Sequence, residues 1–266
     1  MTFEKLIIGA VAGDMVGSHH KEQKAGGLNI SLTNKKPEFT ANTVLTVATM
    51  DALLNGREYT STMKSYGERY PGRGYGPALL RWMRQDEPKP YHSWNNSVAL
   101  RVSPVGHACR TVGETVEEAG KCAAISHNHP DGIKGAQAAA VCVFLAKNGR
   151  TKEDIRSYIE ATFRYDLQKT IEMIRQEFYY DHSCESSVPA AITAFLDSSD
   201  YEDALRLAIS LGGGCGSLAC ITGGIAQAFY KDIPRHIAEP VIEQLSPGMF
   251  EVIDKFSCTY PMGLFI

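Results

Sequence analysis

Three glycines at four-residue spacing, Gly9, Gly13 and Gly17, lie inside an apolar segment near the start of the chain and restrict its fold more than any other feature. Around them Leu6, Ile7, Ala10, Val11 and Met15 recur at intervals of three and four, the pattern of one apolar helix face. A glycine inside a helix costs roughly 1 kcal/mol relative to alanine. Three in one row are tolerated where a second backbone, or a ligand, comes closer than a Cβ would permit. The segment therefore predicts a helix pressed against a close neighbour.

The helical period continues through the chain. Thr111 with Glu114, and Thr151 with Asp154, have the spacing of a capping box, in which hydroxyl and carboxylate satisfy free amides of a first turn. Asp131 or Gly132 opens an apolar helix through Ile133, Ala136, Ala140, Phe144 and Leu145 that stops at Asn148-Gly149. Pro189 reads as a first-turn proline, Asp200 precedes a helix through Leu205, Leu207 and Ile209, and residues 218–230 form a helix rich in small residues. Strand-like alternation is scarce. The chain is expected to be all-α, a single compact multi-helix domain over residues 1–266, and 44% hydrophobic residues suffice for its core. Residues 18–39, 71–76 and 87–96 are polar or rich in Gly, Pro and aromatic residues and read as loops, the first long enough to suggest a function.

The formal net charge is only -3 and the 27 Lys and Arg residues are scattered, so no basic stripe predicts a nucleic-acid partner. No apolar run approaches the ~20 residues that cross a bilayer, and Met1-Thr-Phe-Glu-Lys5 lacks the form of a signal peptide. Seven cysteines without regular spacing fit reduced thiols better than a disulfide framework. The expectation is a cytoplasmic protein without membrane attachment.

Five segments carry a family resemblance. They are Ile8-Gly-Ala-Val-Ala-Gly-Asp-Met-Val-Gly-Ser18, Trp94-Asn-Asn-Ser-Val-Ala-Leu-Arg-Val-Ser-Pro-Val-Gly106, Ser126-His-Asn-His-Pro-Asp-Gly-Ile-Lys-Gly-Ala-Gln137, Ser183-Cys-Glu-Ser-Ser-Val-Pro-Ala-Ala-Ile192, and the run from Gly212-Gly through Gly223-Gly-Ile-Ala-Gln-Ala-Phe-Tyr230. In this order, over about residues 3–256, they resemble the ADP-ribosylglycohydrolase family, which includes the dinitrogenase-reductase-activating glycohydrolases. The resemblance implies an all-helical hydrolase fold and a nucleotide cleft in which aspartates hold two magnesium ions.

Those aspartates are missing here. The family's Thr-Asp-Asp-Thr reads Thr40-Ala41-Asn42-Thr43, and its Asp-Ser/Thr-Asp-Thr reads Gly214-Cys215-Gly216-Ser217. The acidic residue after the first helix aligns with Lys21, with Glu22 one place on, and the family's Gly-Asn-Gly-Ser-Ala-Met-Arg reads Asn95-Asn96-Ser97-Val98-Ala99-Leu100-Arg101. Magnesium requires hard oxygen ligands, usually with one or more carboxylates. Ala41, Asn42, Gly214 and Gly216 are thus degenerate metal positions, and no metal or other cofactor is expected. Asp14 remains, and the resemblance implies that it buttresses helix packing.

The other residues leave several uses open. Asn96, Ser97, Arg101, His127, His129, Gly213, Gly214, Cys215, Gly216 and Ser217 are candidates for lining a ligand site, with the glycines ahead of a helix as an anion cradle. His127 and His129 either orient loops or, with Cys215 or Cys184 as a further donor, bind zinc. Cys215 just ahead of a helix is either a nucleophile with a thiol pKa lowered by the dipole, or a small residue replacing a serine. Cys215, His127 and Glu22, with Asp131, are the candidates for metal-independent chemistry on an N- or O-glycosidic bond. Arg101 reads as a buried ion pair or as an anion contact, and Tyr75 and Trp94 as stacking surfaces or rim. The leading expectation is a non-catalytic binder of an ADP-ribose-like nucleotide or a protein partner.

Overall fold

The computed structural model describes residues 5–20, 26, 30–32 and 36–263. Four helices, α1 (Gly9–Ser18), α2 (Ala41–Asn55), α3 (Tyr59–Arg69) and α4 (Pro77–Met83), precede a 3₁₀ helix at Asn96–Arg101. They are followed by α5 (Ser103–Ala108), α6 (Val112–Ala124), α7 (Pro130–Lys147), α8 (Lys152–Phe163) and α9 (Ile171–Glu177). The chain ends with α10 (Cys184–Asp197), α11 (Tyr201–Ser210), α12 (Cys215–Tyr230), α13 (Arg235–Gln244) and α14 (Pro247–Thr259). No strand occurs among the described residues, and Asn95 and Ser183 form an isolated antiparallel bridge. None of the described helices is long and apolar enough to cross a membrane.

α12 is the hub. Its residues from Cys215 to Ala228 are buried almost all round, as a helix enclosed by others must be. α1, α11, α10 and α7 pack on it, α1 most extensively. The glycine row explains that contact. A Cβ on Gly9 would strike the carbonyl oxygen of Gly223, one on Gly13 that of Ala219, and one on Gly17 that of Cys215. The two helices run antiparallel with their backbones in contact, so the neighbour inferred from the glycines is another helix.

Side chains complete the end of α1. The helix begins at Gly9, later than the apolar stripe from Leu6 suggests, because Gln227 of α12 takes the preceding backbone. Its Oε1 accepts from the amides of Ile8 and Gly9 at 3.0 and 2.6 Å, and its Nε2 donates to the Leu6 carbonyl at 2.6 Å. Tyr201 donates its hydroxyl to the Gly9 carbonyl at 2.8 Å. These bonds supply what Ile8 lacks as an N-cap.

The other helix signals divide. Thr151 and Asp154 form both halves of a capping box. At α6, Thr111 accepts from the Glu114 amide, but the Glu114 carboxylate reaches back one residue further, to the Arg110 amide. Asp200 caps α11 as expected. α7 opens at Pro130 with His129 as its cap. Pro189 lies inside α10, whose cap is Ser183, and α12 starts at Cys215, three residues earlier than its apolar period. Much of the expected loop at 18–39 lies outside the described residues, though Ile30, Leu32 and Phe39 within it are buried.

Candidate functional site

The C-terminal end of α1 meets the starts of α2 and α12 at one junction. Asp14, fully buried, stands at this junction. Its Oδ1 accepts from the Thr40 hydroxyl at 2.6 Å, the Asn42 side-chain amide at 2.9 Å and the Ser18 hydroxyl at 3.3 Å. Its Oδ2 accepts from the Thr43 hydroxyl at 2.7 Å and from the Thr40 and Thr43 backbone amides, both at 3.1 Å. A carboxylate has about four lone-pair sites, so six donors leave none directed at a cation. The negative charge also faces the N-terminus of α2, where the helix dipole favours it. Asp14 therefore ties α1 to α2, the buttressing role that the resemblance implies.

The positions that the resemblance aligns with the family's metal ligands lie around this junction. Ala41 and the two glycines offer no side-chain donor, and Asn42 turns its NH₂ toward Asp14, which commits it as a hydrogen-bond donor. Gly216 is pressed against α1, since a Cβ there would meet the Ser18 hydroxyl at 2.5 Å. Among the described residues, the groups at these positions do not fit a pair of magnesium ions. Lys21 and Glu22, the two candidates for the acidic position after the first helix, lie outside the described residues.

A residue that sequence reasoning passed over covers the glycine loop. Tyr180, between α9 and α10, lays its ring against Gly213 and Gly214, so closely that any Cβ at Gly214 would enter it. Gly213 has φ +65, a conformation that glycine adopts without strain. The Tyr180 hydroxyl donates to Ser217 Oγ at 3.1 Å and accepts from Asn96 Nδ2 at 3.0 Å. Asn96, itself buried, also donates to Ser187 Oγ at 2.8 Å. The expected anion cradle at the start of α12 is thus overlaid by a phenol.

Ser97 begins a second network. Its hydroxyl lies 2.9 Å from His127 Nε2, and the Ser126 hydroxyl lies 2.8 Å from His127 Nδ1. Burial and the nearby Arg101 guanidinium depress the His127 pKa to about 3, so the ring is neutral at pH 7 and a poor base. His129 faces elsewhere. Its Nδ1 accepts the Asp131 amide at 3.2 Å as the cap of α7, and its ring lies 4.8 Å from that of His92. The two histidines do not converge, and no group of three or more His, Cys, Asp or Glu among the described residues is placed to hold a metal. Their bonds run to Ser97, Ser126 and the first turn of α7, as loop-orienting groups would make them.

Two candidates need correction. Cys215 is buried and its Sγ donates to the Ile209 carbonyl at 3.5 Å. Its thiol pKa moves up to about 11, because burial outweighs the helix terminus expected to lower it. Arg101 is fully buried and cannot meet an external ligand, and no carboxylate among the described residues pairs with it. Its Nη2 donates to the Cys122 carbonyl and to Ser126 Oγ, both at 2.8 Å, joining the 3₁₀ helix to the end of α6. Of the two possible stacking residues, Tyr75 is buried and bonds the Tyr70 carbonyl, whereas Trp94 is 49% exposed beside the Asn95–Ser183 bridge.

Residues 3–257 match the family model described as ADP-ribosylglycohydrolase. Among solved structures, a chain of an "ADP-ribosylglycohydrolase-related protein complex" aligns with a TM-score of 0.76 at 18% identity, covering 97% of this chain and 97% of that one. At that identity the structural likeness speaks for the fold alone.

Proposed function

Because this chain belongs to the ADP-ribosylglycohydrolase family, we propose that it is a member that has left dimagnesium hydrolysis and works as a non-catalytic binder, engaging an ADP-ribose-like nucleotide in its cleft. The observation that carries this reading is the use made of Asp14 and Asn42. The carboxylate is saturated by six donors and its neighbour is one of them, so the region is complete without a cation. The helices around the junction keep their close packing, and exposed Trp94, next to the Asn95–Ser183 bridge, and exposed Tyr179, next in sequence to Tyr180, offer rings on which a base can stack. Cys215, buried with a raised pKa, and His127, neutral and held by two hydroxyls, do not favour a rebuilt hydrolytic centre.

Calorimetry with ADP-ribose in magnesium and in EDTA tests the proposal. The expected result is binding that the metal leaves unchanged, with no turnover of ADP-ribosylated protein in either buffer. Turnover that disappears in EDTA would show that the dimetal chemistry persists. Absence of binding in both buffers moves the function to a protein partner.

A further inference from the structure

We propose that Tyr180 decides what this site admits: its side chain occupies the slot over Gly213 and Gly214, excludes any side chain from position 214, and must be turned aside before a ligand reaches the start of α12. The inference rests on the binder reading for its ligand, but not for the exclusion itself. Gly214 has φ −91, outside the left-handed region that only glycine enters freely. The nearest obstacle is the ring, whose Cε2, Cζ and Cδ2 all lie inside contact distance of a Cβ at 214. Gly213 meets the same residue at its Cβ, 2.6 Å away. An aspartate at position 214 and the phenol cannot occupy this space together.

The backbone bearing Tyr180 is held on both sides, by the Ser186 hydroxyl donating to the Tyr179 carbonyl at 3.4 Å and by bonds from residue 181 onward. The His182 carbonyl accepts the Asn96 amide at 2.8 Å, the Cys184 amide donates to the Trp94 carbonyl at 3.0 Å, and Asp181 caps Ser183. Tyr180 precedes these anchors and reaches the slot by its side chain, whose polar contacts are the bonds to Asn96 and Ser217. Turning it aside leaves Asn96 Nδ2 still bonded to Ser187 and exposes one donor beside one acceptor. That pair suits a hydroxyl, which accepts from one and donates to the other as the phenol does. A ribose hydroxyl meets the requirement and a hard cation does not.

A double-mutant cycle tests the exclusion without a ligand. Gly214→Ala in the native background is expected to lower the melting temperature by several degrees, and the same substitution in Tyr180→Ala to lower it by less than half as much. Equal losses in the two backgrounds overturn the proposal. Calorimetry then compares ADP-ribose binding by the native protein, Tyr180→Phe and Tyr180→Ala. The affinity is expected to rise at least ten-fold in Tyr180→Ala, with Tyr180→Phe nearer the native protein because its ring still fills the slot. Binding of equal affinity by all three overturns the gate. Coupling in the cycle together with no binding by any of the three supports exclusion by Tyr180 and removes the nucleotide reading.

Discussion

Replacing Asp14 by alanine separates a packing carboxylate from a metal ligand. In the native protein six donors point at its two oxygens. The hydroxyls of Ser18, Thr40 and Thr43 can rotate to other acceptors, but the backbone amides of Thr40 and Thr43 cannot. A buried donor left without a partner costs roughly 1–3 kcal/mol, and the lost charge at the N-terminus of α2 adds about 0.5–1 kcal/mol. Asp14→Ala should therefore destabilise the protein by about 4 kcal/mol, measured as the change in urea unfolding free energy in EDTA. Asp14→Asn should cost less, about 1–2 kcal/mol, since Asn42 can flip its amide and the hydroxyls can donate elsewhere while the retained oxygen serves the two amides. A metal ligand behaves oppositely: without metal its removal relieves repulsion and stabilises. A loss below about 1 kcal/mol for Asp14→Ala in EDTA, or a magnesium-induced gain in native stability that the substitution abolishes, refutes the reasoning.

Three further outcomes follow from the same structure. His107 and His127 are both buried with pKa values near 3 against the usual 6.5, chiefly through burial, with Lys147 and Lys231 acting on the first and Arg101 on the second. The unfolded chain therefore binds protons that the folded one refuses, and stability falls as the pH drops below 6.5. Between pH 7 and 5 the loss is at most about 2 kcal/mol per histidine, and urea midpoints that stay level over this range contradict it. Gly13→Ala drives a Cβ into the Ala219 carbonyl and should cost about 3 kcal/mol or prevent folding. Gly76→Ala, at φ −62 with open space around it, should be nearly silent, and equal thermal shifts for the two would count against the α1–α12 contact. At pH 7 a thiol reagent should label exposed Cys258 first and leave Cys215 unmodified, and peptide mapping that finds both labelled at similar rates would reinstate Cys215 as a reactive group.

The sequence is most informative where a local rule acts alone. The glycine row predicts a close neighbour because the missing Cβ has no other compensation, and Thr151, Asp154 and Asp200 predict helix starts because a cap bonds only its own first turn. It is less informative where the decisive partner is distant in the chain. Gln227 moves the start of α1 from across the hub. Pro189 is tolerated inside α10 because the Glu185 carbonyl it leaves unbonded is on an exposed residue. The sign of the Cys215 shift depends on burial, which a position beside a helix end does not reveal. Tyr180 carries no local signal: the last ring of the run Phe178-Tyr179-Tyr180 acquires meaning only when it is seen against Gly214.

The residues that stand where the resemblance places metal ligands suit one another without a cation. Four carboxylates facing one another beside Asp14 would repel strongly in a partly buried setting unless cations neutralised them. With Ala41, Asn42, Gly214 and Gly216 in those places, Asp14 is the single acidic group bonded at the junction among the described residues, and Asn42 is one of its donors. The glycine at 214 then leaves room for a ring that an aspartate would have displaced, and Tyr180 fills it. Each change makes the others less costly, so returning one aspartate alone meets either an unneutralised neighbour at 42 or a phenol at 214. Recovery of magnesium affinity thus requires the acidic set together with removal of the Tyr180 ring, and single or even quadruple aspartate replacements with that ring in place should bind none.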